Sequence, residues 1–114
     1  MRDFIKVMKA LSDPNRVKIV KMLQHRTLCV CEIQAALKIA QPTVSKHLKL
    51  LEDAGLVSFY KEGLWVNYQL TDGSRNPYVA SLLGNMRHWL EKETEIMEIK
   101  EKLPMIRRED VCHK

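Results

Sequence analysis

The chain of 114 residues has no apolar run of membrane-spanning length, no internal repeat and no low-complexity segment. A transmembrane helix is therefore not expected. The chain opens on Arg2 and Asp3 rather than on a basic stretch feeding a long apolar core, so no export signal is read and a cytoplasmic location is expected. Its three cysteines are an odd number, which argues against a disulfide framework in a reducing compartment and favours metal binding or thiol chemistry. No cofactor loop, no catalytic His/Asp constellation and no cysteine pair with a two-residue redox spacer is present, so an enzyme is not expected.

What is present begins with charge. Net charge is +5, and residues 1–30 carry all of it: Arg2, Lys6, Lys9, Arg16, Lys18, Lys21 and Arg26 against Asp3 and Asp13. The remainder is balanced. Lys46 and Lys49 nevertheless stand together with no acid before Glu52, which gives a local basic face suited to an anionic partner.

Hydrophobic spacing supplies the elements. Phe4, Ile5, Met8 and Leu11 form the stripe of a first helix ending near Ser12, and Asp13-Pro14 is the start signal of a second with Val17, Ile19, Val20 and Leu23 on its apolar face. Ile33, Ala36 and Leu37 mark a short third helix, with Lys38-Ile39-Ala40 as a tight connection. Val44, Leu48, Leu51 and Ala54 mark a fourth that Gly55 ends. Leu56–Tyr60 and Leu64–Leu70 read as a hairpin around Lys61-Glu62-Gly63, and Thr71 to Pro77 as a turn-rich connection. One long final helix should then run to Pro104, with Val79, Leu82, Leu83, Met86, Leu90 and Met97 as its main stripe. That stripe exceeds what one small domain can cover, so the first and last helices are expected to form a homodimer seam. The fold class is mainly α with a β-hairpin wing (α+β), in the order α-α-α-α-β-β-α. Residues 1–103 form the domain and 104–114 a charged C-terminal tail.

Helix, turn, helix, hairpin is the order of a winged helix-turn-helix, in which the second helix enters the DNA major groove and the hairpin reaches neighbouring backbone. Gln41, Thr43, Ser45, Lys46 and His47 fall in the first two turns of that helix, where side chains reach base edges, while Val44 and Leu48 face the core. Gln41 suits adenine, Lys46 guanine acceptors or phosphate, and Lys49 extends the basic face. On the wing Lys61 is the phosphate contact, and Trp65 and Tyr68 are packing residues.

Cys29 and Cys31 precede the reader. On a regular helix their side chains diverge by about 200° and cannot grip one ion. With Cys29 extended, or with the first helical turn unwound, both sulfurs can converge. Thiolates at a helix start near Arg26 should have a lowered pKa and take soft acceptors, As(III), Sb(III), Cd(II) or Pb(II), rather than hard ions. The competing readings are two small buried hydrophobes and a pair of thiols that responds to oxidant.

The combination Leu11-Ser12-Asp13-Pro14-Asn15-Arg16, Leu28-Cys29-Val30-Cys31-Glu32-Ile33, Gln41-Pro42-Thr43-Val44-Ser45-Lys46-His47-Leu48, Leu51 through Val57 and Gly63 through Leu70 resembles the ArsR/SmtB family of metal-responsive winged-helix repressors. The resemblance spans residues 3 to 100. It implies a homodimer on a palindromic operator, released by a metal or metalloid, and the arsenic-responsive branch is the most similar. Family members commonly carry a capping Ser where Ala40 stands, whose absence removes about 1 kcal/mol of helix capping, and a basic residue where Leu64 stands. Arsenic-sensing members carry a third cysteine three residues after the second, where this chain has Gln34. Two sulfurs then suffice, with water completing the site, or Cys112 arrives from the tail of one subunit or the other. His25 and His113 could assist, though both read as solvent-exposed. The zinc-sensing branch places paired ligands on the last helix; here that helix offers His88 with Glu91 and Glu95, and no zinc site is expected there.

Overall fold

The computed structural model describes residues 1–112. Asp13 is extended and its carboxylate accepts the backbone N–H groups of Asn15 and Arg16, so α2 (Pro14–Leu23) starts where the Asp-Pro pair dictates, after α1 (Arg2–Ala10). A two-residue strand, β1 (Leu28–Cys29), leads directly into α3 (Val30–Leu37). Lys38, in the left-handed conformation with φ of 57°, ends α3 and turns the chain into α4 (Gln41–Asp53). Ala40 gives α4 no side-chain cap, and Gly55 follows it at φ +83°.

The hairpin consists of β2 (Val57–Glu62) and β3 (Trp65–Leu70), paired antiparallel from Val57↔Leu70 to Glu62↔Trp65. β1 adds to the other edge of β3, with Leu28 opposite Tyr68 and Cys29 opposite Asn67, giving the order β1-β3-β2. Gly73, at φ +74°, lies so close to the next helix that a Cβ there would stand 2.5 Å from the Cα of Ala80. That helix is α5 (Pro77–Met86), capped by Asn76 through the N–H groups of Tyr78 and Val79.

Here the long final helix expected from the sequence gives way to separate elements. After α5 come α6 (Thr94–Lys102), a 3-10 turn over Leu103–Met105, and α7 (Arg108–Val111). No Pro or Gly makes the first break; a lysine does. Lys21 of α2, only 2% exposed, sends its Nζ to the carbonyls of Met86 (2.7 Å) and Trp89 (2.9 Å) and pairs with Glu91 at 3.3 Å. A cation at the carboxyl end of a helix satisfies carbonyls that lack an intrahelical partner. Leu90 then takes a left-handed φ of 65°, which redirects the chain so that α6 packs on α2 through Ile96 and Ile99.

The core sits between the helices and one face of the small sheet: Val7, Ile19, Val20, Met22, Leu28, Ile33, Val44, Leu48, Leu51, Leu56 and Val79 are buried. Phe4 of α1 stacks edge-on against Tyr78 of α5, 5.2 Å between centroids, and both remain partly exposed beside Ile5. Residues 103–112 return across the molecule, with Leu103, Ile106 and Cys112 buried. The helix-turn-helix and wing stand in the order read from the sequence, and the structure adds β1 and the divided carboxyl end. Among the described residues no helix is long and apolar enough to cross a membrane.

Candidate metal centre and nucleic-acid interface

Cys29 is the last residue of β1 and the N-cap of α3, with extended backbone at φ −88° and ψ 168°. Cys31 lies one residue inside the first turn. Of the two geometries that let this spacing converge, the chain uses the extended one, and α3 stays wound. Cys112 follows α7 and brings its Sγ to 3.1 Å from that of Cys29. The three sulfurs all lie within 4.8 Å of one another, with Cys29 and Cys112 buried and Cys31 half-buried. Within this chain Cys112 thus stands beside Cys29 and Cys31. His113 lies outside the described residues; His25 and His88 are exposed, Glu91 is engaged by Lys21 and Lys100, and Glu95 by Lys18.

Two charged residues hold this arrangement. Glu32, 3% exposed, accepts the Cys29 N–H at 2.9 Å through Oε1 and the Arg26 guanidinium at 2.8 Å through Oε2. Arg26 also donates to the carbonyls of Leu103 (3.2 Å) and Ile106 (2.7 Å), so it ties the start of α3 to the returning segment. The Cys29-x-x-Glu32 spacing is a capping-box signal that the sequence does display. Arg26 has no such signal, because its carbonyl partners lie 77 and 80 residues away.

The thiol chemistry differs from expectation. Burial pushes the Cys29 thiol up despite the hydrogen bonds from Cys112 and the backbone, which work the other way. Burial, followed by hydrogen bonding to Cys31 and Cys29, raises the Cys112 thiol far above the ordinary value. Removal from water outweighs the helix start and Arg26, because a neutral thiol is cheaper to bury than a thiolate. Cys29 and Cys112 thus rest protonated. It fits a soft acceptor on its donors: three sulfurs, neighbouring sequence segments brought together, and no hard oxygen donor among them.

On α4, Gln41, Thr43, Ser45, Lys46 and Lys49 are exposed along the outer face, with Lys49 paired to Asp53 at 3.3 Å, and Lys61 is exposed on β2 near the wing tip. His47 stands apart. Its side chain is 12% exposed, and its Nδ1 lies 3.1 Å from Arg16 Nη1. Arg16 in turn donates to the carbonyls of Ala10 (2.7 Å) and Lys9 (3.3 Å), so the pair links α4 to the carboxyl end of α1.

The carboxyl-terminal segment also reaches the wing, through a residue that no local pattern singles out. Arg108 donates from Nη1 to Asn67 Oδ1 and from Nη2 to Glu62 Oε1, both at 3.0 Å, and its guanidinium carbon lies 4.3 Å from the centre of the Trp65 ring.

Residues 13–58 match the family model described as bacterial regulatory protein, arsR family, a stretch that includes Cys29, Cys31 and α4 but ends before Cys112. An uncharacterized HTH-type transcriptional regulator of Methanocaldococcus jannaschii is 45% identical over 67 residues, covering 58% of this chain and 75% of that protein. The arsenical resistance operon repressor of Escherichia coli is 43% identical over 68 residues, covering 59% of this chain and 58% of the repressor, so less than two thirds of that relative is spanned. Among solved structures, the homodimeric winged helix-turn-helix DNA-binding domain Mb0332 of Mycobacterium bovis superposes with a TM-score of 0.64 at 27% identity, covering 75% of this chain and 76% of that one. With the winged helix-turn-helix in place and these likenesses across it, the chain belongs to the arsR family of bacterial transcriptional regulators.

Proposed function

We propose that the protein is a DNA-binding repressor, acting as a homodimer on a palindromic operator, that releases DNA when Cys29, Cys31 and Cys112 bind a soft thiophile, arsenite or its Sb(III) counterpart first among them. The observation that carries this reading is the convergence of three sulfurs within 4.8 Å at the base of the helix-turn-helix. A trivalent metalloid is satisfied by three sulfurs, whereas Cd(II) takes a fourth donor, which makes it the weaker inducer. The E. coli relative's name, arsenical resistance operon repressor, points the same way.

The exposed side chains of Gln41, Thr43, Ser45, Lys46 and Lys49 would face the major groove and Lys61 the flanking phosphate. α3, with Cys29 as its N-cap and Cys31 in its first turn, packs against α4. An ion that prefers a different sulfur spacing biases the position of α4 by its difference in affinity for the two arrangements. The exposed Phe4, Ile5 and Tyr78 on α1 and α5 support the dimer seam at the first and fifth helices, and the M. bovis neighbour is homodimeric.

The 3.1 Å separation of Cys29 and Cys112 favours one second reading, a response to oxidant. Hydrogen peroxide would take two electrons and two protons from the two thiols, forming one S–S bond and two waters. Fluorescence anisotropy of promoter DNA, titrated separately with As(III), Sb(III), Cd(II), Pb(II), Zn(II) and peroxide, separates the readings. Arsenite is expected to release the DNA, and Cys29→Ser, Cys31→Ser and Cys112→Ser each to blunt that release. Unchanged arsenite release in these variants overturns the site, and release by peroxide alone, reversed by reductant, establishes the redox reading instead.

A further inference from the structure

We propose that Arg108 is a positioning residue that makes the placement of the wing depend on where Cys112 sits, giving the sulfur site a second route to DNA besides α4; this rests on the sulfur cluster being the effector site. α7 is one helical turn long, and its geometry links the two ends rigidly: the Cys112 N–H donates to the Arg108 carbonyl at 2.9 Å. At one end is the sulfur. At the other the Arg108 guanidinium spans Glu62 and Asn67 and lies over Trp65, so it grips the last residue of β2 and two residues of β3 together.

The grip closes on itself. Asn67 Nδ2 donates to the same Glu62 Oε1 at 3.0 Å, and Asn67, 4% exposed, sits directly opposite Cys29 in the β1–β3 pairing. The wing and the cluster are thereby joined at two points, through the sheet at Cys29 and through α7 at Cys112. With metal–sulfur bonds of about 2.3 Å, sulfurs around one centre stand about 3.5–3.8 Å apart. Cys112, now 3.1 Å from Cys29, must withdraw when an ion binds. Withdrawal of Cys112 moves α7 relative to β3, whereas Cys29 remains tied to β3 by its strand pairing. The Arg108 clasp is the contact placed to register that relative movement.

Trp65 offers a direct readout, since the chain has two tryptophans and Trp89→Phe leaves Trp65 alone. Full-length W89F is titrated with CdCl2 and, separately, with sodium arsenite, following binding by thiolate-to-ion absorbance and the clasp by Trp65 emission and its quenching by acrylamide. Binding is expected to change Trp65 emission in W89F. In W89F/R108A the ion should bind with the same stoichiometry while the Trp65 response is lost, and W89F/E62Q, which removes the exposed carboxylate's charge, should diminish it. A Trp65 response that is absent from W89F, or that persists in W89F/R108A, with ion bound, overturns the coupling and leaves the sulfur site standing. Failure of both ions to bind W89F overturns the effector site and the coupling with it.

Discussion

The sulfurs of Cys29 and Cys112 stand 3.1 Å apart although 83 residues separate them in the chain. Neither the strand end that carries one nor the short helix that carries the other would place them there alone. The Arg26 bonds to Glu32 and to the Leu103 and Ile106 carbonyls hold the two segments against each other. The cluster is consequently a tertiary site even though two of its members are nearly adjacent.

Ion uptake should release protons. Burial raises the Cys29 and Cys112 thiols, so both are neutral at pH 7, and an ion that requires thiolates displaces their protons. Affinity is therefore expected to rise with pH between 6 and 8, by up to about tenfold per unit for each proton displaced. Calorimetric titration with CdCl2 in buffers of different ionisation enthalpy measures the proton count, and a pH-independent affinity contradicts the buried, protonated cluster.

Lys46 and His47 should fail differently. Lys46 is exposed, so as a phosphate contact Lys46→Ala is expected to reduce the slope of log affinity against log salt by about 1 per subunit, about 2 for the dimer, and to weaken binding to all DNA sequences alike. His47 holds Arg16, so His47→Ala should lower affinity through the seating of α4 while leaving the salt slope unchanged. Anisotropy at four salt concentrations decides, and an equal loss of slope in both variants would make His47 a phosphate contact.

Lys21→Met should destabilise the fold by about 2–3 kcal/mol, because the Trp89 carbonyl loses its donor and the Met86 carbonyl keeps only the Trp89 N–H at 3.3 Å. Urea unfolding at fixed protein concentration is expected to show a lower midpoint with the denaturant slope preserved. A midpoint equal to that of the parent chain would mean that the α5–α6 break stands without Lys21.

The Arg108 clasp should open in acid. The Arg108 guanidinium, helped by the Asn67 amide, holds the Glu62 carboxyl below the ordinary value of 4.5. A carboxylate lowered by the folded structure adds stability that is fully present above the ordinary value and is lost as pH falls through the lowered one. Trp65 emission in W89F should accordingly be flat above pH 5 and change below pH 4.5, with the transition absent from W89F/E62Q. A transition that survives Glu62→Gln assigns the acid response to another group.

Features that depend on near neighbours are legible in the chain. Asp13-Pro14 capped α2, Gly55 ended α4, and the spacing of Val44, Leu48 and Leu51 chose the buried face of the reader, because helix periodicity and capping act within a few residues. The pairing of Cys29 with Cys31 was legible for the same reason.

The remaining features arise from contacts between distant segments. The apolar stripe after Pro77 reads as one helix, and nothing near Leu90 announces a break; the break depends on a lysine from α2, 65 residues before Met86. β1 is too short to show alternation and exists because β3 offers it an edge. Cys112 had no local signal for its partner, and Arg108 none for Glu62 and Asn67, 46 and 41 residues away. Such contacts form where packing brings distant buried polar groups together and each must find a partner, a requirement that belongs to the assembled interior and leaves no periodic trace in the chain.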